Sequence, residues 1–258
     1  MYQTLEIERD GDQATLWLNR PQKLNPLSLQ TLEELVKAAA ELSADPALKV
    51  VIIAGRGRCF SAGADLTGFP EPQEAGAWAA ADAGRRMADA VEGINAITIA
   101  RLQGWCVGGG LVLAAACDLR VAAADARFSI PEVDLGIPLA WGGIPRLVRE
   151  IGPALTKELV ITCRPFDATE ALSAGFLNRV VAPGELDSHI AELAATVAAK
   201  PAFPAQATKR HVDAVTANQV GLARSWADAD SLLAGLSDPE CAAARQHYLE
   251  QTLKKRGR

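Results

Sequence analysis

Residues Lys49–Gly55, K-V-V-I-I-A-G, form a short, continuous β-branched run without polar alternation. Such a run predicts a strand buried on both faces, as in a parallel sheet covered by helices. Just before it, Leu27–Leu42 carries Leu29, Leu32, Leu35 and Val36 at helical spacing. Ala14–Asn19 (A-T-L-W-L-N), Ala96–Gln103 (A-I-T-I-A-R-L-Q) and Asp118–Ala122 (D-L-R-V-A) predict further strands. The alternation of strand, helix and strand predicts a right-handed α/β core. Asp65–Arg85 holds Gly68, Pro70, Pro72 and Gly76 with little periodicity at its start, and predicts a mobile loop leading into a helix. After about Ile190 the chain becomes alanine-rich, helical and charged, with Pro201 and Pro204 marking a break. That change predicts a separate C-terminal helical segment.

Composition narrows the function classes. The 258 residues are 49% hydrophobic and 22% charged, the balance of a globular chain rather than a disordered one. The net charge of −5 argues against a nucleic-acid partner. Cys59, Cys106, Cys117, Cys163 and Cys241 include no C-x-x-C pair and are read as reduced thiols of a cytosolic protein. His189, His211 and His247 lie far apart without ligand spacing, so no metal is expected. The start, M-Y-Q-T-L-E-I-E-R-D, lacks the pattern of a signal peptide. The longest apolar stretches break well before the ~20 residues that span a bilayer. A cytoplasmic location without membrane contact is the expectation.

Three segments carry chemistry. Cys59–Leu66, C-F-S-A-G-A-D-L, follows the Lys49–Gly55 strand. Gly63 opens backbone conformations closed to other residues, and small Ala62 and Ala64 allow a ligand to approach the main chain. By itself the segment reads first as a turn before a helix. Gly104–Asp118, G-W-C-V-G-G-G-L-V-L-A-A-A-C-D, sets three glycines between a strand and an apolar helix. A helix start there presents unpaired N–H groups to a phosphate or a developing oxyanion. Tight helix packing explains the glycines about as well. The segment matches neither a Walker A loop nor a G-x-G-x-x-G fingerprint. Phe128–Leu147 places Glu132 and Asp134 among apolar residues. Carboxylates buried there are functional candidates, and carboxylates on a solvated loop are not. In an extended segment the two would point the same way.

Taken together, S-A-G-A-D-L, V-G-G-G-L-x-L-A-A-A-C-D and P-E-V-D-L-G with G-G-x-x-R-L resemble the crotonase (enoyl-CoA hydratase/isomerase) superfamily in order and spacing. N-R-P-x-K-L-N at Asn19–Asn25 and T-x-x-x-F-x-A-x-E-A-L-x-x-G-F-L-N-R-V-V at Thr162–Val181 fit as well. The resemblance covers about residues 3–200. It implies an α/β spiral of repeated ββα units, residues 1–190, followed by a C-terminal helical trimerisation region, residues 191–258. It also implies a homotrimer or hexamer acting on an acyl-CoA or enoyl-CoA thioester, with no cofactor beyond the coenzyme A of the substrate.

By motif position, the resemblance assigns the oxyanion hole to the backbone N–H groups of Ala64 and Gly109. It places Ala62, Ala64, Asp65, Leu66, Thr67, Gly109 and Trp141 against the substrate and makes Glu132 the catalytic carboxylate. Some relatives have a phosphate-holding lysine at the position of Thr67. Hydratases of the family use a second glutamate where this chain has Val112, and a glycine on the water side where it has Ala140. Trp141 stands where a small residue is usual, and each change makes the site drier. Dienoyl-CoA isomerases place aspartates at the positions of Val112 and Ala140, which this chain also lacks. A 1,3 proton shift needs one base, whereas hydration is best served by two. The expectation is a single-glutamate isomerase converting 3-enoyl-CoA to 2-enoyl-CoA. A weak or specialised hydratase and a non-catalytic acyl-CoA binder are the alternatives.

Overall fold

The computed structural model describes residues 2–65, 68, 70–225 and 227–256, with the side chains of 224 and 252–256 excepted. Strands β1 (Leu5–Asp10) and β2 (Gln13–Leu18) form an antiparallel hairpin at the edge of a six-stranded sheet. Beside it, β3 (Val50–Gly55) is buried along its whole length. Alternation along the strand explains this. Val51 and Ile53 join the main core with Leu16 and Leu18, while Val50, Ile52 and Ala54 face the opposite way, into a second apolar cluster.

Helix α1 (Leu29–Ser43) buries Leu32, Leu35, Ala38, Ala39 and Leu42 against the main core. It begins two residues later than the spacing of apolar residues predicts. Ser28 is its N-cap, accepting from the Thr31 N–H, and Leu27 is instead bridged to Ala64. Helix α2 (Ala77–Glu92) starts inside the stretch predicted as loop into helix, after Gly76 in a left-handed conformation.

Beyond it the ββα repeat is explicit. Strands β4 (Ile97–Leu102) and β5 (Trp105–Val107) precede α3 (Gly109–Ala115), and β6 (Leu119–Ala123) and β7 (Arg127–Ser129) precede α4 (Gly143–Thr162). Of each strand pair, the first joins the large parallel sheet and the second a smaller sheet. Ser61, bridged in parallel to Cys106, gives β3 and α2 the same arrangement. Two-residue β8 (Phe166–Asp167), α5 (Ala168–Ser173) and β9 (Arg179–Val181) complete the two sheets. The crotonase-like spiral is therefore the fold of this chain.

Among the described residues four α-helices follow: α6 (Leu186–Ala198), α7 (Ala202–Gln219), α8 (Asp228–Ser237) and α9 (Pro239–Arg256). Residue 190 falls inside α6, whose Ile190, Ala194 and Ala198 cover the second face of the large sheet. Pro201 stands at the start of α7. From α7, buried Lys209 donates through Nζ to Ile94 O at 2.7 Å and pairs with Asp118 at 2.9 Å. No helix among the described residues is long and apolar enough to cross a membrane.

Candidate active site

The first wall is set by the N-R-P-x-K-L-N turn. Leu24 and Asn25 adopt left-handed conformations. The Asn25 amide then donates to the carbonyls of Arg56, Cys59 and Phe60 and accepts from Arg20 N–H. Leu24 O accepts from Ala62 N–H, Leu27 N–H donates to Gly63 O, and Asp65 N–H donates to Leu27 O. The S-A-G-A-D segment is thus held by backbone bonds on both sides of Ala64. Gly63 (φ +91°) lies so close to the second sheet that a β-carbon would stand 2.8 Å from Val107 O and 3.8 Å from Gly109 N. Only glycine permits this approach, which brings Ala64 beside the start of α3. Neither the Ala64 N–H nor the Gly109 N–H donates to an acceptor among the described residues.

Each glycine of the triplet faces a different group. A β-carbon on Gly108 would run into the Glu132 carboxylate, one on Gly109 into the Trp141 indole, and one on Gly110 into Ser61. The glycines therefore serve the packing of three side chains as well as the turn.

Glu132 and Asp134 separate because their segment is a turn, not a strand. Leu135 N–H donates to Pro131 O at 3.0 Å and Ile137 N–H to Glu132 O at 2.9 Å. The turn buries Glu132 and leaves Asp134 exposed. Arg245 of α9 braces it from outside, its Nε donating to Leu135 O at 3.2 Å. Glu132 Oε2 is buried without a hydrogen-bond partner among the described residues. Burial pushes the Glu132 carboxyl up to about 7.

The carboxyl faces a narrow pocket lined by Ala64, Gly109, Val112, Glu132, Ile137, Pro138, Leu139, Ala140, Trp141 and Leu232. A cavity of about 30 Å³ opens there, enough to admit water. Among the described residues of the lining, Glu132 is the one ionisable group and the rest are apolar, so a negative charge developing there meets few competing dipoles. Val112 is fully buried, and a β-carbon on Gly143 would stand 2.9 Å from its side chain.

Trp141 adopts φ +62°, unusual for a bulky residue, and its turn is held from below. Gly142 N–H donates to Asp228 Oδ2 at 2.7 Å. Arg146, 1% exposed, donates to the carbonyls of Trp141 and Gly142 and pairs with Asp89 at 2.9 Å and Glu92 at 2.5 Å.

Of the residues expected at the site, Ala64, Gly109, Glu132 and Trp141 line this pocket together, with Ala64 exposed at its mouth. Ala62 and Asp65 stand outside its lining; Asp65 pairs with Arg20 at 3.5 Å. Leu66 and Thr67 lie outside the described residues. Sequence reasoning missed Leu232 on α8, which lies well past the last motif, Thr162–Val181, and carries no local signal. It also missed the bracing role of Arg146, although G-G-x-x-R-L pointed to an arginine next to the Trp141 turn.

Comparison with known proteins agrees with this architecture. A family model described as enoyl-CoA hydratase/isomerase matches residues 10–255. The crotonyl-CoA hydratase of Syntrophomonas wolfei is 36% identical over 77% of each chain. The peroxisomal Delta(3,5)-Delta(2,4)-dienoyl-CoA isomerase of Arabidopsis thaliana is 33% identical over 81% of each. The crystal structure of an enoyl-CoA hydratase/isomerase from Xanthobacter autotrophicus superposes with a TM-score of 0.86 at 29% identity, covering 99% of this chain and 96% of that one.

Proposed function

Since the chain belongs to the enoyl-CoA hydratase/isomerase family, we propose that it moves the double bond of a 3-enoyl-CoA to the 2-position with Glu132 as its single base. The observation that carries this reading is one buried carboxylate, its Oε2 without a hydrogen-bond partner among the described residues, in a lining otherwise apolar among those residues, with Val112 where a second carboxylate would stand. The thioester oxygen sits between the N–H groups of Ala64 and Gly109. Glu132 takes a proton from C2, the resulting dienolate carries its charge on that oxygen, and the same carboxyl returns the proton to C4. Each preorganised donor is typically worth ~3 kcal/mol of barrier. A carboxyl with a pKa near 7 suits both halves of the transfer, being neither too weak a base nor too weak an acid.

Hydration is the second reading. It is supported by the hydratase name of the 36% identical relative and by a pocket that has room for water. Offering the protein a short trans-3-enoyl-CoA and crotonyl-CoA side by side, with product analysis, separates the two. Isomerisation faster than hydration is expected. Dominant hydration overturns the isomerase reading, and tight binding without turnover of either makes the protein an acyl-CoA binder.

Val112→Glu tests the missing carboxylate. It is expected to raise hydration of crotonyl-CoA above the parent level. Its stability should fall by roughly 1–3 kcal/mol, because the new group is buried against Leu139 and Gly143. No gain in a variant that still folds and binds would mean that Ala140 and Trp141 exclude the water.

We further propose that the protein works as a homotrimer or a hexamer. Trp105, Val133, Ile161, Leu172 and Phe203 are large apolar residues exposed on the single chain, and self-association would cover such surface. Light scattering at micromolar concentration is expected to report three or six chains, and a monomer would contradict it.

A further inference from the structure

Building on the acyl-CoA reading above, we infer that Trp141 is the stop that limits this pocket to short acyl groups. The indole occupies a slot cut by two glycines from different helices. A β-carbon on Gly84 of α2 would collide with the five-membered side and ring fusion of the indole, and one on Gly109 of α3 with its six-membered edge. Both helices therefore close on the ring directly, with backbone where other residues would place a side chain.

The backbone beneath the ring is equally fixed. The left-handed turn at Trp141 is held by Arg146 through two carbonyls and by Asp228 through the next N–H. Among the other lining residues, Leu139 and Leu232 are flexible aliphatics that change rotamer at small cost. The indole lies against helix backbone at Gly84 along its five-membered side and at Gly109 along its six-membered edge, and these two contacts restrain it. Trp141 forms one wall of the same small pocket that Glu132 faces, so a tail extending from the thioester past Glu132 meets the indole. A large, immobile side chain at the wall sets a limit that induced fit of the leucines does not lift.

Calorimetric titration of the intact protein with acetyl-, butyryl-, hexanoyl- and octanoyl-CoA tests this. The parent is expected to bind butyryl-CoA best and to lose on the order of tenfold in affinity by octanoyl-CoA, because the added methylenes are forced against the indole. In Trp141→Ala the optimum moves to hexanoyl- or octanoyl-CoA, with a gain on the order of tenfold for the first two added carbons. Trp141→Leu, which keeps an apolar filling, is expected to move the optimum by a smaller step, and it decides the matter if the alanine variant does not fold. Parallel chain-length profiles in parent and variants would overturn the stop while leaving acyl-CoA binding intact. If no acyl-CoA binds the parent or either variant, the acyl-CoA reading falls and the stop with it.

Discussion

Glu132→Gln lowers turnover of a short 3-enoyl-CoA by at least ~100-fold while acyl-CoA affinity changes little. The amide keeps the shape of the side chain and its place against Gly108, so the pocket and the N–H groups of Ala64 and Gly109 stay as they are. What disappears is the only group, among the described residues of the lining, able to accept the C2 proton. The parent's kcat/KM should rise with pH through a limb near 7, because the working form is the carboxylate and burial holds its pKa there. The residual activity of the variant should lack that limb. Stability gives an independent readout. The folded pKa of Glu132 lies above its unfolded value, so its contribution is fully present below about 4.5 and is lost as pH rises through about 7. The advantage of Glu132→Gln over the parent, followed by urea unfolding, should therefore grow by up to about 3 kcal/mol between pH 4.5 and pH 8. Other titrating groups are common to both proteins and cancel. Equal turnover in the two proteins would discard the one-base mechanism, and a pH-independent stability difference would mean that the carboxyl is solvated.

Asp134→Asn is the matched control, and the reason it should be milder shows where sequence reasoning stops. Two carboxylates two residues apart point the same way only in an extended segment. Here the bonds from Leu135 N–H to Pro131 O and from Ile137 N–H to Glu132 O curl the chain, so one carboxylate goes inward and the other outward. No periodicity announces such a turn. The convergence of Ala64, Gly109, Glu132 and Trp141 was legible for a different reason. Their grouping came from the motif positions of the family resemblance, not from any repeat visible in the sequence, and the structure supplies the physical reason: a spiral of ββα units returns to the same end of the sheets at every turn, so motifs tens of residues apart meet. The buried strand β3 was equally plain, since both its faces are covered and every residue had to be apolar or small. The hairpin strand β1 was not, because L-E-I-E-R-D lies at a sheet edge and needs few apolar residues. The short strands of the small sheet span two or three residues each, too few to display a period. Gly84 and Leu232 remained hidden because their role depends on how α2 and α8 meet the Trp141 turn, a contact between distant helices.

That contact rests on Arg146, and its removal is expected to be the costliest single change outside the pocket. The guanidinium is almost wholly buried and joins three elements: Asp89 and Glu92 on α2, the carbonyls of the Trp141–Gly142 turn, and its own helix α4. Arg149 also pairs with Glu92, at 2.7 Å, and donates through Nε to Val220 O past the end of α7. Arg146→Met keeps the length and apolar stem of the side chain but strips Glu92 of one partner and leaves two buried carbonyls unpaired. Breaking a buried pair costs ~3–5 kcal/mol. The lower end applies, because the Asp89 side chain is 37% exposed and water takes over part of its charge, and because Arg146 Nε has no partner to lose among the described residues. About 3 kcal/mol corresponds to a melting temperature lower by roughly 6–10 °C in a chain of this size. Arg146→Lys should fall between, since an ammonium retains the charge but cannot reach two carboxylates and two carbonyls from one planar fork. A melting temperature for Arg146→Met within about 1 °C of the parent would show that the network contributes nothing net, its attraction cancelled by the cost of desolvating the ions.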